Sequence, residues 1–329
     1  MDKSKRVLVT GAGGFIGGAL VEHLRDDGFT DIRGVDVKPL SEWFQLDPNV
    51  DNRSLDLKEI DACNEAAEGV GYIFNLAADM GGMGFIEAHK AECMLSVLIS
   101  TNMLRAAVTH GCERLFYSSS ACVYAHDKQT EAQVVALKEA DAYPAMPEDG
   151  YGWEKLFSER MARHFREDYG LVTRIARYHN VYGPLGTWQG GREKAPAAIC
   201  RKVIQAKHTG RHEIEIWGDG EQTRSFMYID DCVEGTLRIM ESDVLDPLNL
   251  GSDELVTINQ LVDIAEDIAG IKLQRNYNLD APKGVRGRNS DNTLIQERLG
   301  WAPSIALRDG LHRTYVWIEQ EYLQERRAA

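Results

Sequence analysis

Residues 6–20 read RVLVTGAGGFIGGAL, and this stretch decides the fold. Arg6 to Thr10 form a short apolar run, and glycines 11, 14 and 17 follow at once. Ile16, Leu20, Val21 and Leu24 then recur at helical spacing, which predicts a helix with one apolar face. Strand, glycine turn and helix in that order form the context that a dinucleotide pyrophosphate needs. The glycines allow a tight turn and let backbone N–H groups approach the phosphates at a helix N-terminus. Their spacing is one residue wider than the commonest form. A second strand, DIRGVDV (31–37), carries Asp36 nineteen residues after Gly17. A carboxylate there accepts from both ribose hydroxyls of NAD and repels a 2′-phosphate. Lys38, close by, is expected to be solvated.

Outward from this start, strand-like runs continue as SLDL (54–57), YIFNLAA (72–78), RLFYSSS (114–120), TRIARY (173–178) and PLNL (247–250). Helix-like stretches lie at 88–109, 151–168 and 230–240. The alternation predicts an α/β fold with a doubly wound parallel sheet. After about residue 180 the pattern loosens into Gly- and Pro-containing loops. Residues 1–182 plus about 226–254 are therefore expected to form the dinucleotide-binding domain. Residues of about 183–225 plus 255–329 are expected to form a smaller substrate domain over the sheet's carboxyl edge, where such folds bind ligands.

Composition narrows the function. The 329 residues are 43% hydrophobic and 27% charged, which is globular usage and excludes disorder. Lys plus Arg number 37 and Asp plus Glu 51, a net charge of −14 that argues against wrapping nucleic acid. Cys63, Cys93, Cys112, Cys122, Cys200 and Cys232 form no C-x-x-C pair, so no metal site is expected. No stretch approaches a bilayer-spanning apolar length, and the N-terminus runs straight into a strand. A cytoplasmic protein with reduced thiols is expected.

Chemistry concentrates in a few runs. Tyr151 and Lys155 stand at i and i+4 in YGWEK and share a helix face, while Ser118 to Ser120 end a strand at the same sheet edge. With the glycine turn, this arrangement resembles the extended short-chain dehydrogenase/reductases of the sugar-nucleotide branch, over nearly the whole chain. The resemblance implies that Tyr151 is the acid/base for a substrate hydroxyl. Lys155 and the positive nicotinamide favour its phenolate. Dehydratases of this family place an acidic pair just after the serine position; Ala121 and Cys122 stand here instead, which disfavours dehydration. Cys122 faces the same site if the chain stays extended. From the residues alone its thiol is either a proton carrier or a small buried hydrophobe.

Cations cluster in two places. GTWQGGREKAPAAICRK (186–202) holds Arg192, Lys194, Arg201 and Lys202; Gln222-Thr-Arg224 and GVRGRNSDN (284–292) hold Arg224, Arg286 and Arg288. In an acidic chain these suggest a pyrophosphate site. They lie among Gly and Asn, without acidic partners at helical spacing, so ligand contact is favoured over surface pairing. Arg288 and Lys202 are expected to serve phosphates rather than the fold.

Together with DMGGMGFI (79–86), YSSSACVY, HNVYGP and WGDGEQTRSF, these runs are similar to the GDP-mannose 3,5-epimerase family. That resemblance implies a catalytic set of Ser120, Cys122, Tyr151, Lys155 and Lys194. It implies NAD contacts at Gly11, Gly14, Phe15, Ile16, Gly17, Asp36, Asp56 and Ala77, besides Tyr151 and Lys155. It implies contacts to a GDP-mannose substrate at Gly81, Ser120, Ala121, Cys122, Tyr151, Asn180, Glu193, Lys194, Ala195, Lys202, Gln222, Thr223, Arg224 and Arg288. Transient C-4 oxidation by bound NAD, with inversion at C-3 and C-5, would give GDP-L-galactose, and C-5 inversion alone GDP-L-gulose. Free-solution pKa values, near 8.5 for Cys and 10.4 for Lys, favour Cys122 as the base and Lys194 as the donor, and leave open which acts at each carbon. A homodimer through helices 88–109 and 151–168 is also implied. The rivals are a 4- or 5-epimerase of the same family and a non-catalytic NAD-binding scaffold.

Overall fold

A computed structural model describes residues 1–282 and 284–328. Strands and helices alternate through the first half: β1 (Arg6–Thr10), α1 (Phe15–Asp26), β2 (Ile32–Asp36), β3 (Asp51–Ser54), α2 (Ile60–Ala67), β4 (Val70–Asn75), α3 (Met83–Ala88), α4 (Lys90–Thr109), β5 (Arg114–Ser120), α5 (Tyr151–Tyr169) and β6 (Val172–Tyr178). The second half runs β7 (Asn180–Tyr182), α6 (Ala195–Thr209), β8 (Glu213–Trp217), β9 (Thr223–Tyr228), α7 (Ile229–Glu241), β10 (Leu248–Leu250), β11 (Leu255–Thr257), α8 (Ile258–Ala269), β12 (Gln274–Asn278), β13 (Gly287–Arg288), α9 (Thr293–Leu299) and α10 (Leu307–Ala328).

The main sheet has seven parallel strands in the order β10-β6-β5-β4-β1-β2-β3. Its central strands are apolar on both faces, as a doubly covered parallel sheet requires: Val7, Leu8, Val9, Ile73 and Phe74 are fully buried. α1 and α7 cover one face with Leu20, Leu24 and Cys232. α2, α4 and α5 cover the other with Ala66, Met103 and Ala162. Strand order reverses between β1 and β4, and the crevice at that switch point is where open α/β sheets bind ligands.

Several elements depart from the sequence reading. The strand expected at 54–57 lies at 51–54, because DNRS is a charged edge strand tied by Asp51 to Arg33 at 2.8 Å, whereas Leu57 sinks into the α2 core. The helix expected at 88–109 is α4, which starts at Lys90 because a break at His89 separates it from α3. α4 is, by length and composition, apolar enough to cross a bilayer, contrary to expectation. Half of it is buried between the sheet and its neighbouring helices. The seam between the two regions also shifts. β7 and β9 pair with each other, and β9 with β11 and β13, in a four-stranded sheet. Residues 180–182 and 226–228 thus join the smaller region's sheet instead of the main one, because their hydrogen-bond partners lie there. β8 and β12 form a separate ribbon.

Candidate active site

The glycine turn is shaped by steric necessity. Gly11 has φ 73°, and a Cβ on Gly17 would stand 2.1 Å from the Gly11 carbonyl oxygen. Gly14 precedes α1 and donates to that same oxygen at 3.0 Å; Phe15 and Ile16 open the helix. Asp36 ends β2, buried, with Oδ1 accepting from the Lys38 N–H at 3.0 Å. Lys38 is not merely solvated, since its Nζ donates to the Gly13 carbonyl at 3.2 Å and pins the turn. Ala77 donates to Thr10 Oγ1 at 3.1 Å just past β4, while Asp56 is exposed beyond β3 and accepts from the Lys58 N–H. These residues gather at the carboxyl ends of neighbouring strands. A cradle without room for Cβ atoms, beside a buried carboxylate, fits a dinucleotide with a free 2′-hydroxyl.

Tyr151 is the first residue of α5 and is buried. The Lys155 ammonium stands 5.4 Å from the centre of its ring and 4.9 Å from that of Tyr117. Glu154, also buried, lies 3.7 Å from the same ammonium and accepts from Tyr117 and Ser158 at 3.3 and 3.0 Å. Burial pushes the Tyr151 phenol well above its ordinary range, Cys122 and Glu154 push the same way, and Ser120 opposes them. This is opposite in direction to the lowering expected from Lys155. Desolvation outweighs it in the chain alone, and Glu154 shares the lysine's charge.

Cys122 does not continue an extended strand. Ala121, Cys122 and Val123 make a 3-10 turn in which Ser120 Oγ accepts from the Cys122 N–H at 3.2 Å. The turn still delivers the thiol to the site, in a buried cluster with Phe85, Ile86, Cys93 and Tyr151. Arg288 approaches its sulfur through Nη1 at 3.6 Å, donates from Nε to Gln129 at 2.6 Å, and pairs through Nη2 with Glu148. Burial pushes the thiol up to about 11; Glu148 adds to this and Arg288 opposes it. Burial alone would raise the Glu148 carboxyl, but Arg288 holds it below its ordinary range.

Lys194 stands at the N-terminus of α6, ahead of Ala195. Burial lowers its pKa, and among the described residues no acceptor engages its ammonium. The cations around it correct the sequence reading, for most have acidic partners. Arg192 pairs with Asp79 at 2.9 Å, Arg201 with Glu193 at 2.8 Å and Arg286 with Asp219 at 2.8 Å. Lys202 donates to the Glu215 carbonyl at 2.8 Å. Asp79 and Asp219 come from distant segments and Glu193 from the same loop at a non-helical spacing, so helical spacing does not reveal them. Arg288 likewise pairs with a carboxylate and is 5% exposed, so it supports the fold as well as facing the site. The Gln222 amide donates to Trp217 O at 2.7 Å, but its Oε1 is buried with no partner among the described residues. Thr223 Oγ1 donates to Ala132 O and Asn180 Nδ2 to Ser225 O, at 2.5 and 3.1 Å. Arg224 donates to the Thr223 and Val285 carbonyls, and burial lowers it to about 10. Gly81 abuts the Phe85 side chain.

Ser120, Cys122, Tyr151 and Arg288 thus converge with Glu154 and Lys155, and Lys194 feels the charges of Cys122 and Arg288. Asp56, Lys202 and Gln222 make their hydrogen bonds elsewhere, with Lys58, Glu215 and Trp217. Glu148, Gln129 and Glu154 are the residues that sequence reasoning missed. Only the neighbourhood of Glu154 to Lys155 could have signalled one of them.

A family model described as "NAD dependent epimerase/dehydratase family" matches residues 7–251. The chain is 47% identical over 327 residues to the GDP-mannose 3,5-epimerase of Arabidopsis thaliana, covering 99% of this chain and 85% of that one. It is 47% identical over 328 residues to GDP-mannose 3,5-epimerase 1 of Oryza sativa subsp. japonica, covering 98% and 83%. Among solved structures it is similar to the UDP-glucose 4-epimerase of Thermotoga maritima with UDP-glucose, with a TM-score of 0.86 and 25% identity over 96% of this chain and 99% of that one. The family match starts at β1 and runs through the glycine turn, the Tyr151–Lys155 pair and the last strand of the main sheet. The chain belongs to the NAD dependent epimerase/dehydratase family.

Proposed function

We propose that the chain is a GDP-mannose 3,5-epimerase, converting GDP-D-mannose to GDP-L-galactose and releasing GDP-L-gulose when only C-5 inverts. The observation that carries the reading is the pair of extra proton carriers. Cys122 packs with Tyr151 in one buried cluster, and half-buried Lys194 feels the charge of Cys122, two proton carriers beyond what a redox step or a 4-epimerisation requires. The relatives that align with nearly the whole chain support the same reaction.

NAD would be held by the Gly11–Gly17 turn, Asp36, Asp56, Ala77 and Lys155. When bound, it supplies the acceptor for the C-4 hydride and later returns that hydride. Tyr151 takes the proton of the C-4 hydroxyl, and Ser120 holds that oxygen. The C-4 ketone acidifies the hydrogens at C-3 and C-5, since either carbanion is an enolate. Cys122 and Lys194 then remove and return protons from opposite faces. Burial moves the thiol up and the amine down, bringing the two affinities for a proton together. What favours Cys122 as the base is Arg288, whose guanidinium lies against the sulfur and stabilises its thiolate. Lys194 then donates. Gln222, Thr223, Arg224, Lys202 and Arg288 surround the nucleotide and its sugar.

A homodimer is part of this proposal. Met94, Leu95 and Leu98 on α4, and Trp153 and Phe157 on α5, are exposed apolar side chains on adjacent helices. Burying them against a second copy removes that surface from water. Light scattering tests it, and a monomer at micromolar concentration would contradict it. Product NMR after incubation with GDP-mannose tests the reaction itself. Unchanged substrate, or a product inverted at C-4 alone, would contradict it.

A further inference from the structure

We propose that Arg192 is a positioning residue for Lys194, clasping the loop that carries this lysine to the segment that follows β4. The inference rests on the epimerase reading above.

The clasp has three parts. Arg192 Nη1 donates to Asp79 at 2.9 Å and lies within 3.4 Å of the Met80 carbonyl. Its guanidinium sits over the Phe85 ring at 3.8 Å, and Phe85 in turn stacks on His89 at 4.4 Å. The backbone joins the same two segments, since the Gly82 N–H donates to the Arg192 carbonyl at 3.1 Å. Contact there is so close that a Cβ on Gly82 would stand 2.6 Å from the Glu193 carbonyl oxygen.

Lys194 follows two residues later. Its ammonium has no partner of its own among the described residues, so the backbone that carries it sets its aim. On the far side, Glu193 is tied to Arg201 of α6 at 2.8 Å. The loop is therefore held between α6 and the segment after β4. An exposed ion pair alone fixes little. Here a planar cation on an aromatic face and a backbone hydrogen bond act with it, and only Arg presents a flat guanidinium to the ring. Phe85 also belongs to one buried cluster with Ile86, Cys93, Cys122 and Tyr151, against which Met80 packs. Both proton carriers are thereby referred to one segment.

Loosening the clasp should spoil the second proton transfer without spoiling oxidation at C-4, which Tyr151 performs from α5. Two quantities separate these steps: the rate of inversion, and the amount of 4-ketosugar trapped by borodeuteride after an acid quench. Arg192→Ala is expected to lower inversion by about 10- to 100-fold, as a misplacement near 1 Å does, while trapped ketone stays within about threefold of the parent. Gly82→Ala pushes on the same loop from the other side and should change the ratio in the same direction. Arg192→Lys keeps the pair with Asp79 but loses the flat stack, so it should fall between. Inversion and ketone falling in parallel, or neither changing, would overturn the positioning role. If the parent protein itself yields neither ketone nor inverted sugar, the epimerase reading fails first and takes this inference with it.

Discussion

Arg288 points one guanidinium nitrogen at the sulfur of Cys122, 3.6 Å away, while another pairs with the buried carboxylate of Glu148. One cation thus serves a buried acid and a buried thiol. Removing one member of such a pair strands the other charge in a poorly solvated interior.

Arg288→Ala is accordingly expected to lower stability by about 3–5 kcal/mol, the usual cost of breaking a buried pair from one side. Adding Glu148→Gln should recover part of that loss, because the stranded charge goes with it. Urea unfolding of the single and double variants measures the coupling. Strictly additive losses would contradict it.

Glu154 stands beside the Tyr151–Lys155 pair and is one of the groups that raise the Tyr151 phenol. The other groups facing that phenol are Cys122 and Cys93, which raise it, Ser120, which lowers it, and the Lys155 ammonium 5.4 Å from its ring. Glu154→Gln removes one raising charge, so the acid limb of kcat/KM should move to lower pH. Tyr151→Phe should lose about 10²–10⁴-fold in turnover at any pH. An acid limb that stays fixed in the Gln variant would assign Glu154 to structure alone.

His179 is fully buried, with Nε2 3.2 Å from Asn249 Oδ1, and burial presses its imidazole down to about 3. The unfolded chain takes up a proton at this residue below about pH 6.5, whereas the folded chain does not. Its contribution is fully present above that pH and declines as pH falls toward 3, by about 1.4 kcal/mol per pH unit. His179→Gln should flatten the decline between pH 6.5 and 5, as read by urea unfolding. Equal slopes in the two proteins would contradict the assignment.

Asp36 should make the protein prefer NAD over NADP, because a 2′-phosphate would meet a buried carboxylate. The cofactor released on denaturing the purified protein should be NAD, and Asp36→Ala should narrow the preference. Recovery of mainly NADP would remove Asp36 from the ribose site.

The nucleotide-binding half was legible because its signals are local. Arg6–Thr10, the glycine turn, Asp36, the strand at 114–120 and the Tyr151–Lys155 helix each depend on spacing within a few residues. β3 was misread because DNRS is a polar edge strand without the alternation that marks a half-buried one. The turn at Ala121–Val123 was hidden because it depends on a side-chain bond from Ser120. The long-range ion pairs were out of reach. Arg288 finds Glu148 across 140 positions and Cys122 across 166. Arg192 finds Asp79 across 113. No periodicity reports a partner at such a distance. The narrower family resemblance named Cys122 and Lys194; the fold shows what holds them.

Isotope placement tests the central claim most directly. GDP-mannose incubated with the protein in deuterated water should give products carrying deuterium at C-3 and C-5, read by NMR. C-4 should keep its original hydrogen, because that hydride never meets solvent. The Cys122→Ala protein, in the same experiment, should lose most exchange while still oxidising C-4. Deuterium at C-4, or near-normal inversion by Cys122→Ala, would contradict the mechanism.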